Sequence, residues 1–479
     1  MTRFSEHYGL RKCQAELDFV DIPLDTDIRL FVDPYALTVE TDPWFIECSN
    51  LVIGFFERVI GSIRAGDEAT VAHMLLNLHE PNETHLGFSS GRPSGRGVGT
   101  DQARDLYERL QDSRAAQTGL LKDLTDCELV IPGISSDKIS DMTINILRGK
   151  LVEYTGLQCS QLGLPTRRVG SGRYWDPQRR NWVNRYAALP VYRDRRIVLV
   201  PKAGVRYRLA ADYQEYYRGF VLDYLQAEHL HAGSSLVTLL KSGRRKVFKK
   251  DLRTEYPCTK ENLFEFSKEH PEVLDEYKKS LVGKTRPLED ESIEERQPDP
   301  RPVDVLKLVG ELRSIRPGKA AADAYHDFVL GALESIFYPQ LRNPVKEEKI
   351  DEGRKRIDIV FSNGAKTGFF FDIIAKHGVR CPYVIFECKN YRSDPGNPEV
   401  DQLRGRFNNN RGRFGVLVCR TVTDKATMLE RCRAVMNAGD GYVLVFDDSD
   451  IIALLELRAK RDYIALNDYL DAKVRQLVM

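Results

Sequence analysis

The stretch Tyr383-Val-Ile-Phe-Glu-Cys-Lys-Asn-Tyr391 constrains this chain more than any other. A β-strand sends successive side chains to opposite faces, so Val384, Phe386 and Cys388 enter a core while Glu387 and Lys389 emerge together on the other face. A carboxylate and an ammonium then stand side by side. Upstream, Arg356-Ile-Asp-Ile-Val-Phe361 places Asp358 in the same way between Ile357 and Ile359, and Ser362-Asn-Gly364 supplies the turn that follows. Two acids and one lysine on adjacent strands form a site suited to Mg²⁺, with a built-in activator for water.

Glu-x-Lys alone carries little information in a chain this rich in charge. It recurs at Glu276-Tyr-Lys278, in a run that reads as helix, where residues two apart do not face each other. It recurs again at Glu347-Glu-Lys349, on the strand before Asp358, with no acid-bearing strand upstream. Only the Glu387 copy combines strand alternation, an upstream acid in a strand and a helix on each side. The first of those helices shows in Tyr325, Phe328, Val329, Ala332, Leu333, Ile336 and Phe337, which recur at spacings of three and four. Pro317-Gly318 precedes it and Pro339 stops it. Asn397-Pro398 opens the second, which carries Gln402, and Phe414–Cys419 and Tyr442–Phe446 read as strands.

From about residue 304 to 458 this order resembles the PD-(D/E)xK nuclease superfamily, the restriction-endonuclease-like fold, in its Mrr-like branch. The motif's proline is replaced by Ile357. The resemblance implies a C-terminal αβββαβ domain and Mg²⁺ or Mn²⁺ as cofactor. In that scheme Asp358, Glu387 and the Cys388 carbonyl hold the metal, Lys389 orients or deprotonates the attacking water, and Gln402 supports the site or touches the phosphate. Glu334, on the preceding helix, is either an auxiliary ligand or a solvent-facing acid.

With 479 residues, 42% of them apolar, the chain is long enough for two or three domains, and a net charge of +1 means that any basic surface must be local. The fold class expected is α/β, mixed α+β overall. Residues 1–165 read as a mixed α+β region in which Leu17–Ile22 and Leu30–Asp33 alternate as strands. The acids Asp18, Asp21, Asp25, Asp27 and Asp33 fall to solvent faces and turns. Residues 166–282 form a basic and aromatic region, 283–303 an acidic, proline-punctuated linker, and 304–479 the nuclease-like domain. The glycine-rich Gly87–Gly99, with Arg92 and Arg96, reads either as a phosphate cradle or as a mobile surface loop, the latter being favoured because it lacks the Gly-Lys-Ser/Thr ending of a P-loop. Nine cysteines without a Cys-x-x-Cys pair point to buried thiols, and no run approaches the roughly 18 apolar residues of a membrane span. A cytoplasmic protein is expected.

Between Arg167 and Arg208 arginines crowd together, with Tyr174, Trp175, Trp182, Tyr186, Tyr192 and Tyr207 interleaved. Guanidinium groups bind phosphates and aromatic rings stack on bases, so Arg179, Arg180 and Arg185, with Arg244 and Arg245 farther on, are candidate nucleic-acid contacts. The alternative is a pair of solvated hairpins. Two functions follow: a metal-dependent endonuclease acting on DNA in restriction or antiphage defence, or a nucleic-acid-binding scaffold with an inactive nuclease-like fold. A double-strand break needs two sites on antiparallel strands, so a homodimer is expected, with Ile451, Leu454, Leu455 and Ile464 as interface candidates.

Overall fold

The computed structural model describes residues 2–87, 107–110, 113–118 and 120–479, a mixed α+β chain. It divides into two compact units: Met1–Pro23 with Pro201–Ala203 and Leu288–Met479, and Leu24–Val200 with Gly204–Pro287.

The first unit contains α1 (Val305–Ser314), α2 (Ala322–Phe337), β1 (Leu341–Ile350), β2 (Lys355–Asn363), α3 (Phe369–Ala375), β3 (Tyr383–Lys389), α4 (Asn397–Arg404), β4 (Phe414–Cys419), α5 (Lys425–Asn437), β5 (Tyr442–Phe446), α6 (Asp448–Ala459) and α7 (Tyr463–Val478). Its sheet runs in the order β1-β2-β3-β4-β5. The first three strands are antiparallel neighbours and the last three parallel ones. The β1–β2 hairpin closes through three consecutive left-handed residues, Asp351, Glu352 and Gly353. The parallel half needs helical crossovers, which α4 and α5 provide.

Both faces of β3 are covered, since Val384, Ile385, Phe386 and Glu387 are all fully buried. Phe386 stacks on Phe337 of α2. The other face, carrying Ile385, Glu387 and Lys389, lies under α4. Gly415, the β4 partner of Ile385, allows this close approach: a Cβ there would sit 2.9 Å from Leu403 Cδ1. The expected open polar face of β3 is thus a roofed one.

The segment expected as a linker is folded. Within 283–303, helix Asp290–Glu294 buries Asp290, Ile293 and Glu294, and Gln297 is buried after it. Few apolar side chains are available there, so cations compensate: Lys202 lies 2.8 Å from Asp290 and Arg3 lies 2.9 Å from Glu294. Because residues 1–23 and 201–203 belong to the same unit, the boundaries expected at 165 and 303 are not those of the structure. Leu17–Ile22 runs extended with a single bridge, Phe19 to Pro201, since a proline has no N–H with which to extend a ladder. Asp18, Asp21 and Asp33 are buried rather than solvent-facing. Asp21 accepts from the Ser5 N–H and hydroxyl, and Asp33 caps helix Pro34–Thr38.

In the second unit, helices Pro43–Ala65 and Ser136–Gln161 pack together, and short ladders, Arg167–Gly170 with Tyr186–Leu189 and Tyr174–Asp176 with Asn181–Val183, lie against the latter helix. No helix among the described residues is long and apolar enough to cross a membrane. All nine cysteines are free, and only Cys258 is exposed.

Of the expected dimer contacts, Ile451, Leu454 and Leu455 are core residues, leaving Ile464 exposed. Leu454→Ala is therefore expected to cost about 2–5 kcal/mol of stability. Ile464→Ser should stay within about 0.5 kcal/mol of the parent. Chemical denaturation of both variants checks this contrast.

Candidate active site

The β2–β3 ladder pairs Ser362 with Tyr383, Phe361 with Val384, Val360 with Ile385 and Ile359 with Phe386, and there it stops. The next positions in register are Asp358 and Glu387. At this point the Cys388 N–H donates not to a backbone carbonyl but to Asp358 Oδ2, at 2.9 Å. On its other side β3 stays paired with β4 through Lys389. A side chain replaces a ladder partner, and the sheet opens on one side of β3 only.

Into this opening the alternation of β3 sends Glu387 and Lys389, on the same face as Asp358. Lys389 Nζ donates to Glu387 Oε1 at 2.9 Å and to Gln402 Oε1 at 3.1 Å, while Gln402 Nε2 donates back to Glu387 Oε1. One amide thus bridges the acid and the base. Glu387 is 0% exposed and, among the described residues, its Oε2 has no hydrogen-bond partner. Burial, then the nearby Asp358 charge, raises the Glu387 pKa against the pull of Lys389. For Lys389 burial acts downward, but the Glu387 charge, its hydrogen bond and Asp358 outweigh it, so the ammonium is held protonated.

A buried carboxylate oxygen lacking a donor, beside a second carboxylate, suits a small divalent cation. Mg²⁺ commonly takes one or two carboxylates and retains waters. The donor set here is oxygen only: Asp358, Glu387 and the Cys388 carbonyl. Among the described residues no three His, Cys, Asp or Glu side chains gather as a metal centre, so a cation here would depend on the carbonyl and on water. The Cys388 thiol is no candidate, because burial pushes its pKa well up.

Three neighbours are absent from the sequence reading. His326 of α2 places Nε2 3.3 Å from the Cys388 carbonyl oxygen. Arg406, just past α4, is buried and acts on Glu387 through its charge. Asn390 holds the strand end, donating to the carbonyls of Arg316 and Gly318. No periodicity singles out a helix residue that reaches a strand carbonyl, so His326 carried no signal in the sequence.

The candidate nucleic-acid residues Arg179, Arg180, Arg185, Arg244 and Arg245 are all exposed. The tryptophans among them are not. Trp175 and Trp182 pack edge to face with Phe55 in a core, and Trp182 Nε1 donates to the Met74 carbonyl, so neither can stack on a base. Tyr186 is 74% exposed, with the Arg168 guanidinium 5.8 Å from its ring centre. Lys202 and Arg206, which fall between Arg167 and Arg208, are buried. The glycine loop beyond Gly87, including Arg92 and Arg96, lies outside the described residues.

Glu334 belongs to a different cluster. It sits eight residues beyond His326 on α2, about 12 Å along the helix axis. There it meets Lys202 at 3.2 Å, whose ammonium also approaches Asp290 and lies 4.0 Å from the centre of the Tyr338 ring. Neither an auxiliary ligand of the Asp358 site nor a solvent-facing acid, it is fully enclosed. Burial pushes its pKa up to about 8, against the pull of Lys202. The native state therefore binds this proton more tightly than the unfolded chain does. The resulting stabilisation is complete below the ordinary carboxylate pKa of 4.5 and is lost as pH rises through about 8. Relative to Glu334→Gln, the wild type is expected to lose stability from about pH 5 to about pH 8 and to change no further above that, read as the difference between their denaturation midpoints at each pH.

Residues 9–212 match a family described as "Domain of unknown function (DUF8370)", a span of less than half the chain that does not include Asp358, Glu387 or Lys389. No curated protein and no solved structure matches the chain.

Proposed function

We propose that this chain is a metal-dependent nuclease hydrolysing phosphodiester bonds of DNA, in the setting of restriction or antiphage defence that its resemblance implies. The observation that carries the reading is the buried, donor-less Oε2 of Glu387, next to Asp358 and under a lysine held protonated. Asp358, Glu387 and the Cys388 carbonyl would hold Mg²⁺ or Mn²⁺. Such a cation, when bound, supplies counter-charge to the phosphate and makes a bound water more acidic. Because Lys389 keeps its proton, it stabilises developing negative charge and orients the water rather than removing a proton. Gln402 has both amide atoms engaged, so it positions Lys389 and Glu387 rather than touching the phosphate.

The test is cleavage of circular duplex DNA, single-stranded DNA and RNA with and without Mg²⁺. Lys389→Ala would leave Glu387 buried without a cation, so the informative variants are Lys389→Gln and Asp358→Asn, with folding followed by circular dichroism. Each is expected to lose about 10²–10⁴-fold in rate, the range for removing a positioned catalytic group. Full activity in both folded variants overturns the assignment. Binding of nucleic acid with no cleavage of any substrate favours the scaffold reading.

Exposed guanidinium groups would hold the nucleic acid through phosphates. Replacing Arg179, Arg180 and Arg185 by Ala should weaken binding and reduce the salt slope by about 0.9 per lost phosphate contact, and replacing Arg244 and Arg245 tests the second basic run in the same way. An unchanged slope returns these residues to plain solvated surface. A homodimer would present two sites to antiparallel strands. Light scattering over a concentration series tests it, and a monomer that linearises circular DNA in one binding event contradicts it.

A further inference from the structure

The second unit contains a cavity of about 770 Å³, and Arg180 and Arg185, offered above as phosphate contacts, are in its wall. Its walls come from helices Pro43–Ala65 and Ser136–Gln161 and from the hairpin of Tyr174–Asp176 and Asn181–Val183. We propose that this cavity is a nucleotide-binding site, with the base against Tyr174 and the phosphate among Arg58, Arg180 and Arg185. The inference does not rest on the nuclease reading, since Asp358, Glu387 and Lys389 all belong to the first unit.

Size is the first argument. Sites for small organic ligands run to roughly 300–1,000 Å³, so this volume suits a nucleotide with some of its water. The wall is the second. Phe55 and Trp175 pack edge to face with ring centroids 5.1 Å apart, making a firm apolar floor. Tyr174 lies half-buried beside them because Gly149 makes room for it, a Cβ at that position falling 2.7 Å from Tyr174 Cδ2. A flat ring held against a helix is a surface on which a base stacks.

Charge is the third argument. Arg58 has its Nε buried without a hydrogen-bond partner among the described residues. Arg180, which closes the hairpin in a left-handed conformation (φ 51°), forms no ion pair or hydrogen bond among the described residues. Arg185 comes only to 3.9 Å of Asp176 Oδ2, while Asp176 Oδ1 accepts the Gln178 and Arg179 N–H groups. Lys150, on the same wall, is already neutralised by Glu47 at 2.5 Å. Among the described residues no carboxylate comes closer than 3.9 Å to these three guanidinium groups, although Glu153 also lines the cavity, and guanidinium is the side chain best matched to phosphate.

The combination decides the ligand class. A bare anion has no use for the aromatic wall, and a neutral apolar ligand would leave the guanidinium groups desolvated and unpaired. The carboxamides of Asn50 and Gln178 line the same cavity, and each offers a donor and an acceptor of the kind that reads the edge of a base. A free nucleotide and a nucleotide within a strand present this same chemistry.

Calorimetric titration of the full chain tests the site, with adenosine monophosphate, adenosine triphosphate, adenosine, inorganic phosphate and a terminally phosphorylated dinucleotide as probes. The nucleotides are expected to bind saturably, and adenosine and phosphate each about tenfold or more weaker, as loss of one charge-assisted contact implies. Gly54→Phe obstructs the cavity from an exposed helix position where an added Cβ meets nothing within 4 Å, so it should fold and lose binding. Arg58→Ala should also lose about tenfold or more, with its melting temperature as the folding control. Lys268→Ala, an exposed position outside the cavity, should bind as wild type does. Tighter binding of the dinucleotide than of the mononucleotides supports the site with a strand as its source, and the reverse supports it with a free nucleotide. The proposal is overturned if no nucleotide binds saturably, if Gly54→Phe binds undiminished, or if phosphate alone binds as tightly as the nucleotides.

Discussion

The hydrogen bond from the Cys388 N–H to the Asp358 carboxylate is the point on which the first unit's chemistry turns. A backbone ladder continued one step further would have bound both strands edge to edge and left no room between them. By taking over the N–H, Asp358 satisfies a buried donor that would otherwise be costly and lets the β2–β3 pairing end. The same carboxylate is thereby placed beside Glu387, whose charge it destabilises. The strength of the site comes from this crowding: two acids close together in a buried space, balanced by one ammonium and by an amide that bridges acid and base.

Charge also organises the rest of that unit. Lys202, Asp290, Glu334 and Arg458 are all nearly inaccessible, and they join a segment of three residues, a five-residue helix and the long helices α2 and α6. Burying ions is expensive, and such a cluster adds little net stability over an apolar one. Its consequence is register. Moving any partner leaves a charge buried and unpaired, so each segment has one acceptable position. A stretch with too little apolar surface to fold by itself is ordered in this way.

The second unit distributes its aromatic and basic residues by depth. Trp175 and Trp182 pack against Phe55, while the guanidinium groups of Arg179 and Arg180, in the turn between their two strands, and of Arg185, just past the second, are exposed. A strand with a period of two sends neighbouring residues to different environments, so aromatic interleaving in a basic stretch does not by itself make a stacking platform.

The sequence by itself determined which residues lie on which strands: alternation around Glu387 and Asp358, the glycine at the β1–β2 turn and the apolar stripe of α2 are local properties, and the observed register places Asp358, Glu387, Lys389 and Gln402 together. It also marked Arg179, Arg180 and Arg185 as exposed, because long runs of guanidinium groups cannot be buried without partners. Only the tertiary structure decided where Glu334 points, that His326 and Arg406 border the site, that residues 283–303 fold, and that Leu454 belongs to the core. Each of these depends on a partner distant in the chain, Lys202 for Glu334 and Arg3 for Glu294. Local periodicity records which side of an element is apolar, but not what comes to meet the other side.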